Sequence, residues 1–383
     1  MTLPIGHLTQ SIHPALSVKY NMRVYDLQKQ GKDIINLSLG EAFFTMPPLD
    51  FEGMDVAKGY HYSSSRGLAE LRQVISARYA SAYGVPSDPE REVLVTAGSK
   101  AVIYMTLFMI VEPGDDVIVL EPAWVSYEEQ IRLCRANPVM VPYTASIDTL
   151  EAHLTPRTKA IILNNPNNPS GHIYSKEELK ALMNLAERRG LFIISDEAYS
   201  DFTPPEEPFT SIGVFDPGKE RTFIVNSLSK SLGLSGWRIG YVIAHTDYIE
   251  QLLKLNIHLI TCPATLLEQY LAHHFDRLVD NARTQIVPLL EKRAWAVQAM
   301  KDLGLEHLPG SGTFYFMVSV KDSGFSSSAF AESLLEEQLV STVPGIGYGA
   351  SVGDFLRISI GAEPRERLAK GFQAIRDKIH QSS

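Results

Sequence analysis

Seven short runs rich in Val, Ile and Leu, at 92–97, 116–120, 138–142, 160–163, 191–195, 222–226 and 239–244, constrain this chain more than any other feature. Several are apolar at consecutive positions, as in Ile161-Ile162-Leu163 and Phe192-Ile193-Ile194. That texture is expected of strands covered on both faces. Helical patterns over 100–110, 124–135 and 176–189 lie between them. Ser175 with Glu178 predicts a capping box for the last helix, and Gly190 its stop. The alternation predicts an α/β fold, a mostly parallel seven-stranded sheet flanked by helices.

After about residue 280 the pattern changes. A long helix over 281–303 leads to strands at 313–320, 340–343 and 355–360, with helices at 326–338 and 365–379. These predict a smaller α+β domain. A helix over 18–30 can pack with either part. The expected division is an N-terminal arm belonging partly to the small domain (1–45), a large cofactor-binding domain (46–285) and a small C-terminal domain (286–383). A length of 383 residues accommodates two such domains.

The charge balance excludes other readings. With 35 Lys and Arg against 44 Asp and Glu the net charge is −9, and no basic run exceeds Lys292-Arg293. Neither a nucleic acid nor an anionic membrane is an expected partner, although a pocket for one phosphate remains possible. Cys134 and Cys262 form no CxxC, which excludes a zinc ribbon or a disulfide framework. No metal site is expected. His273-His274 reads as a surface or half-buried pair, and Gly310-Ser-Gly312 and Gly345-Ile-Gly347-Tyr-Gly349 as loop turns. The N-terminus shows no basic segment followed by an apolar one, and the most apolar stretch, 105–111, is too short to span a bilayer. A cytoplasmic protein with reduced thiols is expected.

Ligands of open α/β sheets sit beyond the carboxyl ends of the strands, so polar residues matter most where the apolar runs stop. Thr96-Ala-Gly98-Ser99-Lys100 ends one run and opens a helix, offering free N–H groups to an anion. Asn164-Asn-Pro-Asn-Asn168-Pro-Ser-Gly171, Ser195-Asp196-Glu197-Ala-Tyr199 and Ser227-Leu-Ser229-Lys230, with Arg238 eight residues on, end three others. Singly these are a helix cap, a turn, a capping Asp and a surface Lys. Together they meet one chemical requirement. A lysine that condenses with an aldehyde cofactor needs a lowered pKa, and a pyridinium needs a carboxylate at its nitrogen. A phosphate needs helix N–H groups, hydroxyls and an Arg, and a phenolate oxygen needs amide or phenol donors. Lys230, Asp196, the Gly98 turn with Ser227, Ser229 and Arg238, and Asn168 with Tyr199 fill those roles.

The chain resembles the fold-type-I pyridoxal-phosphate enzymes of the class I/II aminotransferases, in the prokaryotic aspartate-aminotransferase-like branch. The resemblance runs through nearly the whole chain. It is carried by Leu37-Ser-Leu-Gly40-Glu41, Tyr62-x4-Gly67-x3-Leu71-Arg72, Glu121-Pro-Ala-Trp124-Val-Ser-Tyr127 and Asn-Pro-Asn-Asn168-Pro-Ser-Gly. Asp196-Glu-Ala-Tyr199, Ser227-x-Ser229-Lys230-x5-Gly236-x-Arg238, Pro344-Gly-x3-Gly349 and Phe355-Leu-Arg357-Ile-Ser complete it. It implies that Lys230 holds the cofactor and moves the substrate proton, while Asp196 pairs with the pyridine nitrogen. Asn168 and Tyr199 would bond the ring oxygen and Trp124 would stack on the ring. Gly98, Ser99, Lys100, Ser227, Ser229 and Arg238 would hold the phosphate. Arg357, with Gly40 and Asn168, would bind the α-carboxylate. Tyr62 would reach the phosphate of a neighbouring subunit, which implies a homodimer. The implied activity is ping-pong transfer of an amino group between an L-amino acid and a 2-oxo acid.

Two departures bear on the substrate. Phe43 stands where that branch has a polar residue near the entrance, and no second Arg is placed for a side-chain carboxylate. Aromatic or apolar amino acids therefore compete with acidic ones. A C–S lyase on the same scaffold is the first rival reading. Lyase relatives often carry Asp-Glu-Ile-His where this chain has Asp196-Glu-Ala-Tyr199. The second rival is a cofactor-binding module of a transcription regulator, which would need an added basic helix-turn-helix segment.

Overall fold

All seven expected strands form, and they lie in one sheet. The computed structural model describes residues 5–381. A two-residue strand, β1 (Ile35–Asn36), precedes the seven: β2 (Val93–Thr96), β3 (Asp116–Leu120), β4 (Asn137–Val141), β5 (Thr158–Asn164), β6 (Phe192–Asp196), β7 (Thr222–Ser227) and β8 (Gly240–Ile243). Their order is β2-β8-β7-β6-β5-β3-β4, with β8 antiparallel to both neighbours and every other pairing parallel. Pro138 lies in β4 at the sheet edge, where a missing N–H costs little.

The consecutive apolar positions are explained by the two covered faces. In β5, Ile161 and Leu163 pack with Leu179, Leu182 and Met183 of the helix Lys176–Arg189. Ala160 and Ile162 pack on the opposite face with Val102, Ile103 and Met105 of the helix Ser99–Ile110. Each of the Ile, Leu, Val and Met side chains contributes about 1.5–3 kcal/mol on burial. Ser175 and Glu178 exchange both capping bonds, and Gly190 ends the helix at φ +68°.

The second region has β9 (Tyr315–Ser319), β10 (Val340–Ser341), β11 (Val343–Pro344) and β12 (Phe355–Ser359). An antiparallel sheet β11-β12-β9 and a parallel pair β1-β10 result. The strand expected over 340–343 is therefore divided at the buried Thr342, where the chain leaves one partner for another. The helix expected over 281–303 begins 16 residues earlier, as Thr265–Asp302. Its first half buries Glu268 beside Tyr270, Leu271 and Phe275, a polar interruption that obscures the apolar period. Position 285/286 falls inside it. The helix expected over 124–135 is trimmed to Ser126–Leu133. No helix among the described residues is long and apolar enough to cross a membrane, and no group of three potential metal ligands occurs among them.

Candidate active site

Two strand ends far apart in sequence meet over β8. Gly240 is the register partner of both Thr96 on β2 and Ser227 on β7. Its Cα lies so close to the Gly98 and Ser99 backbone that a side chain would have no space. Gly98 takes φ +86°, a conformation that favours glycine, and turns the chain into the helix Ser99–Ile110. No side chain caps that helix, so its first N–H groups and the positive end of its dipole are free for an anion. Opposite, Ser227 Oγ donates to Ser229 Oγ at 2.8 Å and accepts from Ser229 N at 3.2 Å. Arg238 Nη1 donates to Ser229 Oγ at 3.3 Å and to the Ser235 carbonyl at 2.8 Å. A helix N-terminus, two hydroxyls and a guanidinium suit a phosphate.

Lys230 follows β7 in the short helix Leu228–Ser231, and its Nζ donates to the Gly40 carbonyl at 2.7 Å. Burial is the main cause that lowers its pKa to about 8. Arg357 and Arg238 act in the same sense, while Glu41 and Asp196 oppose it. A neutral amine is thus accessible near physiological pH. Asp196 ends β6 and accepts from Tyr127 Oη at 2.6 Å and Ala198 N at 3.2 Å. Burial pushes its carboxyl above the ordinary range, against these two hydrogen bonds and the Lys230 charge. Asn164 at the end of β5 fixes the neighbouring segment, donating to the Asp196 carbonyl at 2.9 Å and accepting from Asn168 N at 2.7 Å. One end of the Asn168 amide meets Tyr199 Oη at 3.2 Å, and Tyr199 Oη meets Tyr315 Oη at 3.1 Å.

The remaining wall comes from the chain's two ends. Arg357 on β12 is buried, donates to the Ser38 carbonyl, and lies 4.8 Å and 5.4 Å from the rings of Tyr315 and Tyr348. No carboxylate pairs with it among the described residues. Glu41 accepts from Ser235 Oγ. Lys100 Nζ lies 5.0 Å from the Trp124 ring centre, without a hydrogen-bond or ion-pair partner among the described residues. Burial, then Arg238, lower its pKa. Gly40, Ser99, Lys100, Trp124, Asn168, Asp196, Tyr199, Ser227, Ser229, Lys230, Arg238 and Arg357 all line one cleft of about 310 Å³.

Two predicted residues stand apart from that lining. Gly98 packs beneath Arg238, and Tyr62 is 87% exposed on the surface. Phe43 departs from expectation: it is exposed and borders a separate depression with Tyr25, Asn36 and Glu363. Its side chain therefore gives no argument about the substrate. Tyr127, Asn164, Tyr315 and Glu41 also line the cleft, beyond the residues expected from the sequence. Tyr127 and Glu41 stand inside motifs already noted, whereas only the fold brings Tyr315 to Tyr199.

Residues 55–375 match the family of class I and II aminotransferases. The chain is 32% identical over 352 residues to an aspartate aminotransferase of Pyrococcus abyssi, covering 88% of this chain and 90% of that one. It is 31% identical to aromatic-amino-acid aminotransferase 2 of Thermococcus litoralis, with the same coverage of each. A solved structure of Thermus thermophilus aspartate aminotransferase with maleate superposes with a TM-score of 0.87 at 27% identity, over 98% of this chain and 100% of that one.

Proposed function

The chain belongs to the class I and II aminotransferases, and from that premise we propose that its cleft binds pyridoxal phosphate between Asp196, Lys230 and the Ser99 helix end. It is a transaminase, moving an amino group between an amino acid and a 2-oxo acid, and enzymes of this family depend on pyridoxal phosphate. One observation carries the assignment of the site. A part-neutral amine, a buried carboxylate and a free helix end converge on a cleft where Asn168 Oδ1 and Arg357 Nε are buried without protein partners. Orphaned polar atoms of this kind fit a ligand that brings its own acceptors and donors.

When bound, the cofactor supplies an aldehyde for the amino group and a cationic ring that draws charge from the substrate's Cα. Lys230 Nζ is the base that takes the Cα proton, its neutral form favoured by burial. The Asp196 carboxylate, oriented by Tyr127 Oη, holds the proton of the pyridine nitrogen. Trp124 stacks on the ring, while Asn168 and Tyr199 bond its oxygen. The N–H groups of Ser99 and Lys100, the hydroxyls of Ser227 and Ser229, and Arg238 hold the phosphate, on a turn that Gly98 permits. Arg357 binds the α-carboxylate in a planar two-point contact, with Gly40 and Asn168 beside it. The Lys100 ammonium, which lies over the Trp124 ring and pairs with no carboxylate among the described residues, favours donors with an acidic side chain.

The site is composite in this proposal, with Tyr62 reaching the phosphate of a second copy in a homodimer. Supporting this, Tyr60 and Tyr62 are 77% and 87% exposed. Ile257 and Leu259, on the helix Thr246–Leu259 that Asn256 ties to the Tyr62 loop, are exposed as well. Exposed aromatic and aliphatic side chains beside one loop are what a subunit contact at Tyr62 would cover.

The test mixes holoenzyme with single amino acids, follows the bound cofactor's absorption, and identifies the oxo acid released. Aspartate or glutamate should react best, and Lys100→Met should reduce kcat/KM for them roughly tenfold while sparing phenylalanine. Uniform loss across donors would remove the Lys100 argument. No oxo acid from any donor would remove the assignment of the cleft.

A further inference from the structure

Tyr62 sits on a loop that is unusually well fastened for one so exposed. The hydroxyl of Thr265 donates to the His61 carbonyl at 2.7 Å, and Asn256 Nδ2 donates to the Ser65 carbonyl at 2.7 Å. Val95 N donates to the Arg66 carbonyl at 3.0 Å, and Gly67 N closes a turn onto the Ser64 carbonyl at 2.8 Å. At the centre lies Glu268 of the helix Thr265–Asp302, fully buried. One carboxylate oxygen accepts from Ser63 Oγ at 3.0 Å and the other from Leu68 N at 3.2 Å, on either side of the turn. Gly67 packs against that carboxylate so closely that a Cβ would lie 3.0 Å from Oε1.

Burying a carboxylate is costly, and no ion pair among the described residues offsets it here. Burial pushes the Glu268 carboxyl up to about 7, and Arg72 lowers it only as the last of the contributing causes. Arg72 is itself engaged by Glu90 at 2.6 Å. Nor does Glu268 line the cleft. Its two acceptor bonds are both spent on the segment that carries Tyr62. Asn256 has a similar position, since its Oδ1 accepts from Thr96 Oγ1 at 2.8 Å, two residues before Gly98.

We propose that Glu268 is a positioning residue for cofactor binding in the neighbouring subunit: it locks the 61–68 loop so that Tyr62 meets the second copy's phosphate already ordered. The inference rests on the composite site proposed above. Its energetic meaning is preorganisation, because a loop frozen in the free chain loses no conformational freedom when the phosphate arrives.

The test follows release of pyridoxal phosphate from dimeric holoenzyme into an excess of a trapping apoprotein. Tyr62→Ala should release it roughly tenfold faster, the effect of losing one charge-assisted hydrogen bond. Glu268→Ala should come within about threefold of that rate, with kcat at saturating cofactor largely retained. The double variant should be no faster than Tyr62→Ala alone, since an unlocked loop matters only through its tyrosine. Glu268→Gln should recover most of the retention, because its amide still meets Leu68 N and can donate to Ser63 Oγ. Should Glu268→Ala fail to fold, Ser63→Ala removes one of the two bonds from the loop side and should speed release by about threefold. Release as slow as wild type in Glu268→Ala, or in Ser63→Ala where that variant stands in, overturns the assignment. So do multiplicative effects in the double variant. If Tyr62→Ala itself releases at the wild-type rate, the composite site fails and the role of Glu268 falls with it.

Discussion

Asp196 and Glu197 are adjacent, both buried, and both pushed upward in pKa by burial, yet the networks around them differ in kind. Glu197 accepts from Ser195 Oγ at 3.0 Å, Ser211 Oγ at 2.8 Å and Tyr79 Oη at 3.2 Å. Tyr79 Oη in turn accepts from Asn226 Nδ2 at 2.7 Å. These residues lie outside the cleft lining, which the network reaches only at its edge, where Asn226 Oδ1 accepts from Ser227 N at 2.6 Å. On the other side of the strand, Asp196 faces the cleft, where Asn168 Oδ1 and Arg357 Nε find no partner. Burial and a shifted pKa are common to both carboxylates, so neither property identifies a site. Open valences do.

Four substitutions probe this contrast, and the first should have the greatest effect. Lys230→Ala should abolish turnover while leaving the melting temperature within a few degrees of wild type, as it removes the amine that follows β7 and is coupled in charge to Asp196. In the wild-type apoprotein, capture of pyridoxal phosphate should quicken with pH and level off above about 8, as Lys230 loses its proton. A flat profile from pH 6 to 9 would contradict the lowered pKa.

Asp196→Asn should lower kcat roughly 10²–10³-fold with the cofactor still bound, since an amide cannot stabilise the ring N–H charge. Stopped-flow measurement of the first half-reaction reads this directly, and a loss under threefold would erase the distinction between the two carboxylates. Arg357→Lys should cost about 2–4 kcal/mol in kcat/KM, because an ammonium cannot reproduce the planar contact. A change below twofold for the best donor would make Arg357 a structural residue.

Glu197→Gln should be the mildest, affecting stability and hardly the rate. The wild-type carboxyl titrates near 8 when folded, against an ordinary value of 4.5. Wild type therefore loses stability as pH rises from about 5 to 8, because the unfolded chain ionises first. The neutral amide is spared that loss. The variant's melting temperature should gain on wild type across this window, and a difference independent of pH would refute the buried, proton-holding Glu197.

The sheet was legible because consecutive apolar residues such as Ile161-Ile162-Leu163 allow few alternatives to a strand covered on both faces. The division at Thr342 was not, because β10 pairs Val340 with Ile35, 305 residues away, and two-residue strands carry no period. The cofactor wall was legible because its residues follow strand ends in short motifs. Tyr315 was hidden because its strand reads the same whichever face points inward, and only the fold brings it to Tyr199 and Arg357. Phe43 misled because its place in the sequence beside Gly40 and Glu41 does not fix where its ring points.

The double pairing of Gly240 has a consequence for anyone altering this protein. The spacing between the Gly98 turn and Ser227 is set by two ladders on one residue that has no side chain to exchange. Cofactors with a bulkier anionic tail cannot be accommodated by trimming that point, since nothing remains to trim. Redesign has to begin at Ser229 or Arg238, whose side chains can be shortened while the backbone ruler beneath them stays unchanged.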